Sequence, residues 1–224
     1  MFKLLDVPVF ILTAVLYAYC FIITLRSYQQ KRKKTALSLL VLFAACVVIN
    51  LCSALDGLLY QVVYFIRYGY VFSLIFLAMA LIGLLYFATE IFSSESTRKP
   101  IQMVRFIFSA GIIAISIWGT FSITPEAMTV PLTVIFMGSL SLYIILVVRA
   151  YGLAKRVEDA YYKKSIYYIG HSSLANIGIY IFFIFDSIVP ADQGTTVWSF
   201  IGVWLFALTA YLAYVGFVKP MTAK

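Results

Sequence analysis

Long apolar stretches separated by short polar segments occupy most of the chain. Their hydrophobic residues run continuously instead of alternating with polar ones, which is typical of membrane helices and not of the strands of a β-barrel. A helix needs about 20 mainly apolar residues to cross a bilayer core about 30 Å thick. Seven stretches approach or exceed that length, at residues 7–25, 36–55, 68–92, 101–123, 130–151, 165–189 and 197–218.

These stretches predict an all-α polytopic membrane protein, a bundle of seven transmembrane helices in one domain over residues 1–224. Composition agrees, because 63% of the residues are hydrophobic and 12% are charged, against about half and about a quarter in soluble domains. The first stretch is too long for the apolar core of a signal peptide, so we expect it to be retained as a helix. The expected location is the cell membrane, crossed several times.

The distribution of basic residues predicts an orientation for the bundle. With seven spans, all but Lys3 and Arg67 of the 17 Lys and Arg residues fall on one side. The positive-inside rule makes that side cytoplasmic, which places the N-terminus outside and the C-terminus in the cytoplasm. Orientation and attraction to anionic lipid headgroups therefore explain the net charge of +8, and we expect no nucleic-acid partner.

Polar side chains in two of the stretches recur with helical spacing. Asn176 and Tyr180 belong to such a stripe in the sixth stretch, and Asn50 belongs to one in the second. Because polar groups are costly in hydrocarbon, these stripes are expected to face the bundle interior. They suit an interior that holds water or a ligand, and they equally suit hydrogen bonding between helices without a ligand.

Charged residues near the predicted outer ends of the helices form a candidate ligand site. Arg67 would lie between Asp56 and Asp186, with Tyr60 or Tyr70 nearby. A buried arginine needs such partners, since an unpaired charge is costly in the membrane. The alternative is that Arg67 reaches the outer surface and anchors its helix among neighbouring tyrosines.

Two further titratable residues lie toward the predicted inner side. Glu90 is expected to form an ion pair with basic residues, with proton transfer as the alternative. His171, the only histidine, lies about 100° from the polar stripe of its helix. A pH-linked or proton-relay role is one interpretation of it, whereas a lone histidine lacks the partners of a zinc site.

Catalytic motifs are missing from the sequence. There is no Ser/His/Asp or Cys/His set, no HExxH motif and no Gly-rich phosphate loop, so we expect no catalytic residues, no metal site and no enzymatic activity. The cysteines Cys20, Cys46 and Cys52 all fall in apolar stretches, where they are expected to act as packing residues.

Two family resemblances bear on function. Arg67–Tyr68 resembles the Arg-Tyr near the outer start of helix 3 in microbial rhodopsins, which share this size and plan. Those proteins bind retinal through a helix 7 lysine, and no lysine lies between Trp198 and Val218. The resemblance therefore implies the plan without covalent retinal, and no cofactor is expected.

In length, orientation and the terminal "AYVGFVKP", the chain is more similar to the seven-helix N-terminal sensor regions of archaeal and bacterial histidine kinases. Those sensors continue into cytoplasmic domains, whereas this chain stops at Lys224. The resemblance implies signalling through a cytoplasmic partner, or through an output domain removed from the sequence.

The leading hypothesis is a sensor or receptor-like module that binds a small or lipid-like ligand in the outer half of the bundle. Its binding residues would be Asp56, Tyr60, Arg67 and Asp186, together with Asn50, Asn176 and Tyr180. The alternative is a small-solute transporter or channel that uses the polar faces of helices 2 and 6. A structural subunit of a membrane complex is a third interpretation, and the oligomeric state stays open.

Overall fold

A computed structural model describes residues 6–58, 63–92, 98–121, 125–188 and 197–222, and within these ranges the chain is almost entirely helical and contains no strand. The helices are α1 (Val7–Lys31), α2 (Lys34–Leu58), α3 (Val63–Phe92), α4 (Arg98–Phe121), α5 (Pro125–Ala154), α6 (Ala160–Ile188) and α7 (Val197–Ala213). A π-helical segment (Tyr214–Val218) and a short α8 (Lys219–Thr222) continue α7. The all-α prediction is confirmed, and each predicted apolar stretch falls on one helix, the last on α7 with the π segment.

Six of these helices are long and apolar enough to cross a membrane, namely α1, α2, α3, α4, α5 and α7 with the π segment. This indicates a multi-pass membrane protein. The 29 residues of α6 are long enough as well, but His171, Ser172, Ser173 and Asn176 make the middle of the helix more polar.

The helices form a ring in chain order. Each of α1 to α7 packs against the next, and α7 returns to α1. Because α3 also contacts α5, α4 lies at the outer edge of the ring and exposes large apolar side chains such as Phe106 and Ile107. The core lies inside the ring, where Leu39, Phe43 and Leu81 are fully buried.

Short turns join neighbouring helices at the end of the bundle that carries the basic residues, called here the basic end. The α1–α2 turn uses Arg32 in the left-handed conformation, with φ of 48°, and the Arg32 N–H donates to the Tyr28 carbonyl at 2.8 Å. Asp159 caps α6, since its carboxylate accepts the N–H groups of Tyr161 and Tyr162 at 2.8 and 3.0 Å. Both are common ways to satisfy the free backbone groups of helix ends.

The π segment has a local cause in the sequence. Pro220 has no N–H, so the Gly216 carbonyl four residues earlier loses its α-helical donor. The Ser165 hydroxyl of α6 donates to this buried carbonyl at 2.6 Å, while the Lys219 N–H donates five residues back to Tyr214. A Cβ on Gly216 would lie 2.9 Å from the Ile169 nitrogen, so glycine permits this close contact between α6 and the π segment.

Candidate functional site

A cavity of about 90 Å³ lies inside the ring, and every helix from α1 to α7 except α4 contributes side chains to it. Its polar lining consists of Tyr17, Cys46, Asn50, Tyr143, Ser172, Ser173, Asn176, Tyr180 and Thr209. None of the lining residues that the structure describes carries a charged side chain. The rest of the lining is apolar, with Leu42, Ile49 and Leu77 among its members.

The two asparagines of the cavity lie on α2 and α6. The Asn50 amide nitrogen donates to the Cys46 carbonyl at 2.8 Å, and the Asn176 amide nitrogen donates to the Ser172 carbonyl at 3.1 Å. Each NH₂ group is thus bonded to the preceding turn of its own helix. The Asn50 Oδ1 atom is buried and has no hydrogen-bond partner in the part of the chain that the structure describes.

Thr209 brings a second unpartnered oxygen to the cavity, from α7. Its backbone carbonyl accepts the Ser172 hydroxyl at 3.3 Å, but its own Oγ1 is buried without a partner among the described residues. Buried polar atoms in folded proteins nearly always have a partner, so each exception needs an explanation. At a cavity, a bound polar molecule or water can supply such a partner.

Aromatic side chains border the cavity on two sides. The centres of the Tyr143 and Tyr180 rings lie 6.2 Å apart. Phe217 also lines the cavity and packs edge-on against Phe87, with 4.8 Å between ring centres. Since Phe217 belongs to the π segment, the cavity and the π segment share a residue.

Three of the residues predicted to bind a ligand, Asn50, Asn176 and Tyr180, are brought together at this cavity. The side chains of Asp56, Tyr60, Arg67 and Asp186 fall outside the described residues. The ligand site expected around those four side chains therefore stays a prediction.

Sequence reasoning missed Tyr17, Tyr143 and Thr209, which also line the cavity. Tyr17 follows Thr13, and Tyr143 follows Ser139, at a spacing of four residues, so helical periodicity could have indicated both. Thr209 has no polar residue three or four positions away, and the only signal for it was the cost of a hydroxyl in hydrocarbon, which favours an interior position but does not say which neighbour it meets.

Glu90 and His171 do not line the cavity. A carboxylate oxygen of Glu90 lies 3.0 Å from the Arg105 guanidinium, and this pair joins the ends of α3 and α4. Arg105 also donates to the Thr89 hydroxyl at 2.5 Å and lies over the Tyr86 ring at 4.9 Å. The ion pair expected for Glu90 is therefore present, whereas its proton-transfer alternative stays a prediction.

The His171 side chain is exposed on α6, where its Nδ1 lies 2.6 Å from the Tyr167 carbonyl. Its ring meets the Tyr151 ring edge-on at 5.7 Å. The expected pH-linked role of His171 is not tested by these contacts and stays a prediction.

Among the described residues, no group of three or more His, Cys, Asp or Glu side chains is placed to hold a metal ion. No family model, curated protein or solved structure matches the chain. The chemistry of the cavity is therefore the basis for a functional proposal.

Proposed function

We propose that the chain is a seven-helix membrane sensor or receptor-like module that binds a small ligand in the central cavity. The observation that carries this proposal is a polar cavity inside the helix ring with two buried, unpartnered oxygens, Asn50 Oδ1 and Thr209 Oγ1. The ligand is thus placed in the neutral cavity, and not among the charged residues near the outer ends of the helices. In this proposal α6 is the seventh span, since its polar residues Ser172 and Asn176 line the cavity.

In the proposed orientation the N-terminus is outside and the basic end faces the cytoplasm. The connection from cavity to basic end runs along α6 and the α7–π helix. Ser172 bonds to Thr209 at the cavity, Ser165 bonds to Gly216, and the Tyr161 hydroxyl donates to the Lys219 carbonyl at 3.3 Å. A ligand that fits one packing of these helices better than another would shift the population toward it. A cytoplasmic signalling partner would read that shift.

A small-solute transporter or channel is the second candidate function. It is favoured by the meeting of polar residues from α2 and α6, Asn50 and Asn176, at one cavity. In this alternative the cavity is one site on a path across the membrane.

The proposal is tested by native mass spectrometry of protein released from mild detergent. We expect wild type to retain a small molecule, and Asn176→Leu to lose it because one hydrogen-bonding group of the cavity is removed. His171→Leu is the matched control on the same helix, since His171 is exposed and does not line the cavity. It is expected to retain the molecule.

An empty protein in every variant would contradict the sensor proposal. Solute flux in proteoliposomes that is lost in both Asn50→Leu and Asn176→Leu, but kept in His171→Leu, would favour the transporter instead.

A further inference from the structure

We infer that the cavity takes an uncharged molecule of about four non-hydrogen atoms that donates a hydrogen bond to Asn50 Oδ1 and places apolar carbon against the remaining lining. This inference rests on the proposed function, in which the cavity is the ligand site. It specifies the chemical class of that ligand. Small primary amides and small alcohols belong to this class.

The size limit follows from the volume. An apolar cavity of about 150 Å³ is large enough to hold benzene. The cavity here measures about 90 Å³, so in proportion it holds about four non-hydrogen atoms. Lipid chains and aromatic ligands are therefore too large for the cavity in this conformation.

The absence of charge on the ligand follows from the lining. None of the described residues around the cavity is acidic or basic, and the ion pair between Arg105 and Glu90 lies away from it, between α3 and α4. A charged ligand would lose its hydration without gaining a counterion, which is strongly unfavourable in a membrane interior.

The need for a donor follows from the unpartnered atoms. Asn50 is 3% exposed and Thr209 is 2% exposed, so neither oxygen is satisfied by bulk water. An amide oxygen only accepts hydrogen bonds, whereas a threonine hydroxyl both donates and accepts. A ligand with one N–H or O–H and one acceptor satisfies both groups. Water offers the same bonds, but it gains no hydrophobic contact with Leu42, Ile49 or Leu77.

Three probes of equal size test separately whether the ligand needs a hydrogen-bond donor and whether it must be uncharged. Acetamide has a donor, an acceptor and a methyl group, acetone has no donor, and acetate carries a charge. Their dissociation constants are measured by saturation-transfer NMR on the protein in nanodiscs, with empty nanodiscs as the blank. We expect acetamide to bind, acetone to bind at least about five-fold more weakly, and acetate to give no specific signal.

A matched pair of variants tests whether acetamide binds in the cavity. Thr209→Val removes the hydroxyl while nearly preserving side-chain shape, and we expect it to weaken acetamide binding about five-fold. Thr24 on α1 is 0% exposed and its hydroxyl is likewise unpartnered, but it does not line the cavity. Thr24→Val should leave acetamide binding unchanged, and Asn50→Leu should abolish it.

Equal binding of acetamide with acetone or with acetate would overturn the inference. Equal weakening of acetamide binding by Thr24→Val and Thr209→Val would also overturn it. So would the absence of acetamide binding, which would mean that the cavity holds only water. A retained molecule that is charged or larger would overturn this ligand class and keep the sensor proposal. Acetamide binding together with acetamide flux would keep the class and overturn the sensor proposal.

Discussion

At the scale of single residues, Ser165 compensates for a defect that Pro220 creates on another helix. Pro220 removes the donor that the Gly216 carbonyl would have in an α-helix, and the Ser165 hydroxyl replaces it at 2.6 Å in a buried position. A buried carbonyl without a donor costs more free energy than the average hydrogen bond contributes, because its desolvation is not compensated. The Ser165 hydroxyl is therefore expected to contribute to the stability of the α6–π contact, beside the close packing of Gly216 on Ile169.

We predict that Ser165→Ala lowers the free energy of unfolding by about 1–3 kcal/mol, because the Gly216 carbonyl is left without a donor. Unfolding in mixed SDS micelles measures the change. Ser141→Ala is the control, since Ser141 is exposed and donates within its own helix to Met137 at 2.9 Å. Its effect should stay within about 0.5 kcal/mol, and equal losses in the two variants would argue against this role of Ser165.

At the scale of helices, α2 and α3 approach closely at Gly83. A Cβ placed there would lie 2.8 Å from the Ser38 carbonyl oxygen and 2.9 Å from the Leu42 nitrogen, both backbone atoms of α2. Small residues allow this kind of close backbone packing between membrane helices. The contact between α2 and α3 therefore needs glycine at this position.

We predict that Gly83→Ala lowers the free energy of unfolding by about 1–3 kcal/mol, because α2 and α3 must separate to admit the methyl group. Gly111→Ala on α4 is the matched change, since nothing lies within 4 Å of its Cβ position. It should be neutral or stabilising by up to about 1 kcal/mol, as alanine favours helix over glycine. Chemical unfolding of both variants measures these free energies. A Gly83→Ala protein as stable as wild type would contradict the prediction.

The helices and part of the cavity could be predicted from the sequence, because both depend on local patterns. Continuous apolar runs identify α1 to α7, and helical spacing places Asn50 and Asn176 on interior faces. Thr209 could not be assigned in this way, because its position at the cavity depends on how α7 closes the ring against α1 and α6. The π segment escaped prediction although Pro220 lies close to Gly216 in sequence, because the Ser165 hydroxyl that satisfies the Gly216 carbonyl lies 51 residues away and meets it only in the folded bundle.

At the scale of the whole molecule, the ring has a basic end and an opposite end. The basic end holds the α1–α2 turn, the α5–α6 turn and Lys219, which lies beside Tyr161. Basic residues favour the cytoplasmic side of a membrane. A reagent in one compartment should therefore reach both turns, and the C-terminal end of α2 should be reached from the other compartment.

We predict that cysteines introduced at Gln30 and Glu158 react with a membrane-impermeant maleimide only after the cells are opened. Leu58→Cys, which is exposed at the other end of α2, should react in intact cells. The changes are made after replacing the native cysteines, and they leave every basic residue in place. Labelling of Glu158→Cys in intact cells would overturn the proposed orientation.

The π segment also determines the direction in which Lys219 faces around the helix axis. A π turn accommodates one residue more than an α turn does, and one residue corresponds to about 100° around the axis of an α-helix. The residues Lys219–Thr222 therefore face a direction about 100° away from the one that an uninterrupted α7 would give them. Because the Ser165–Gly216 hydrogen bond holds the π segment against α6, we expect a change at that bond to alter the direction in which Lys219 faces at the basic end.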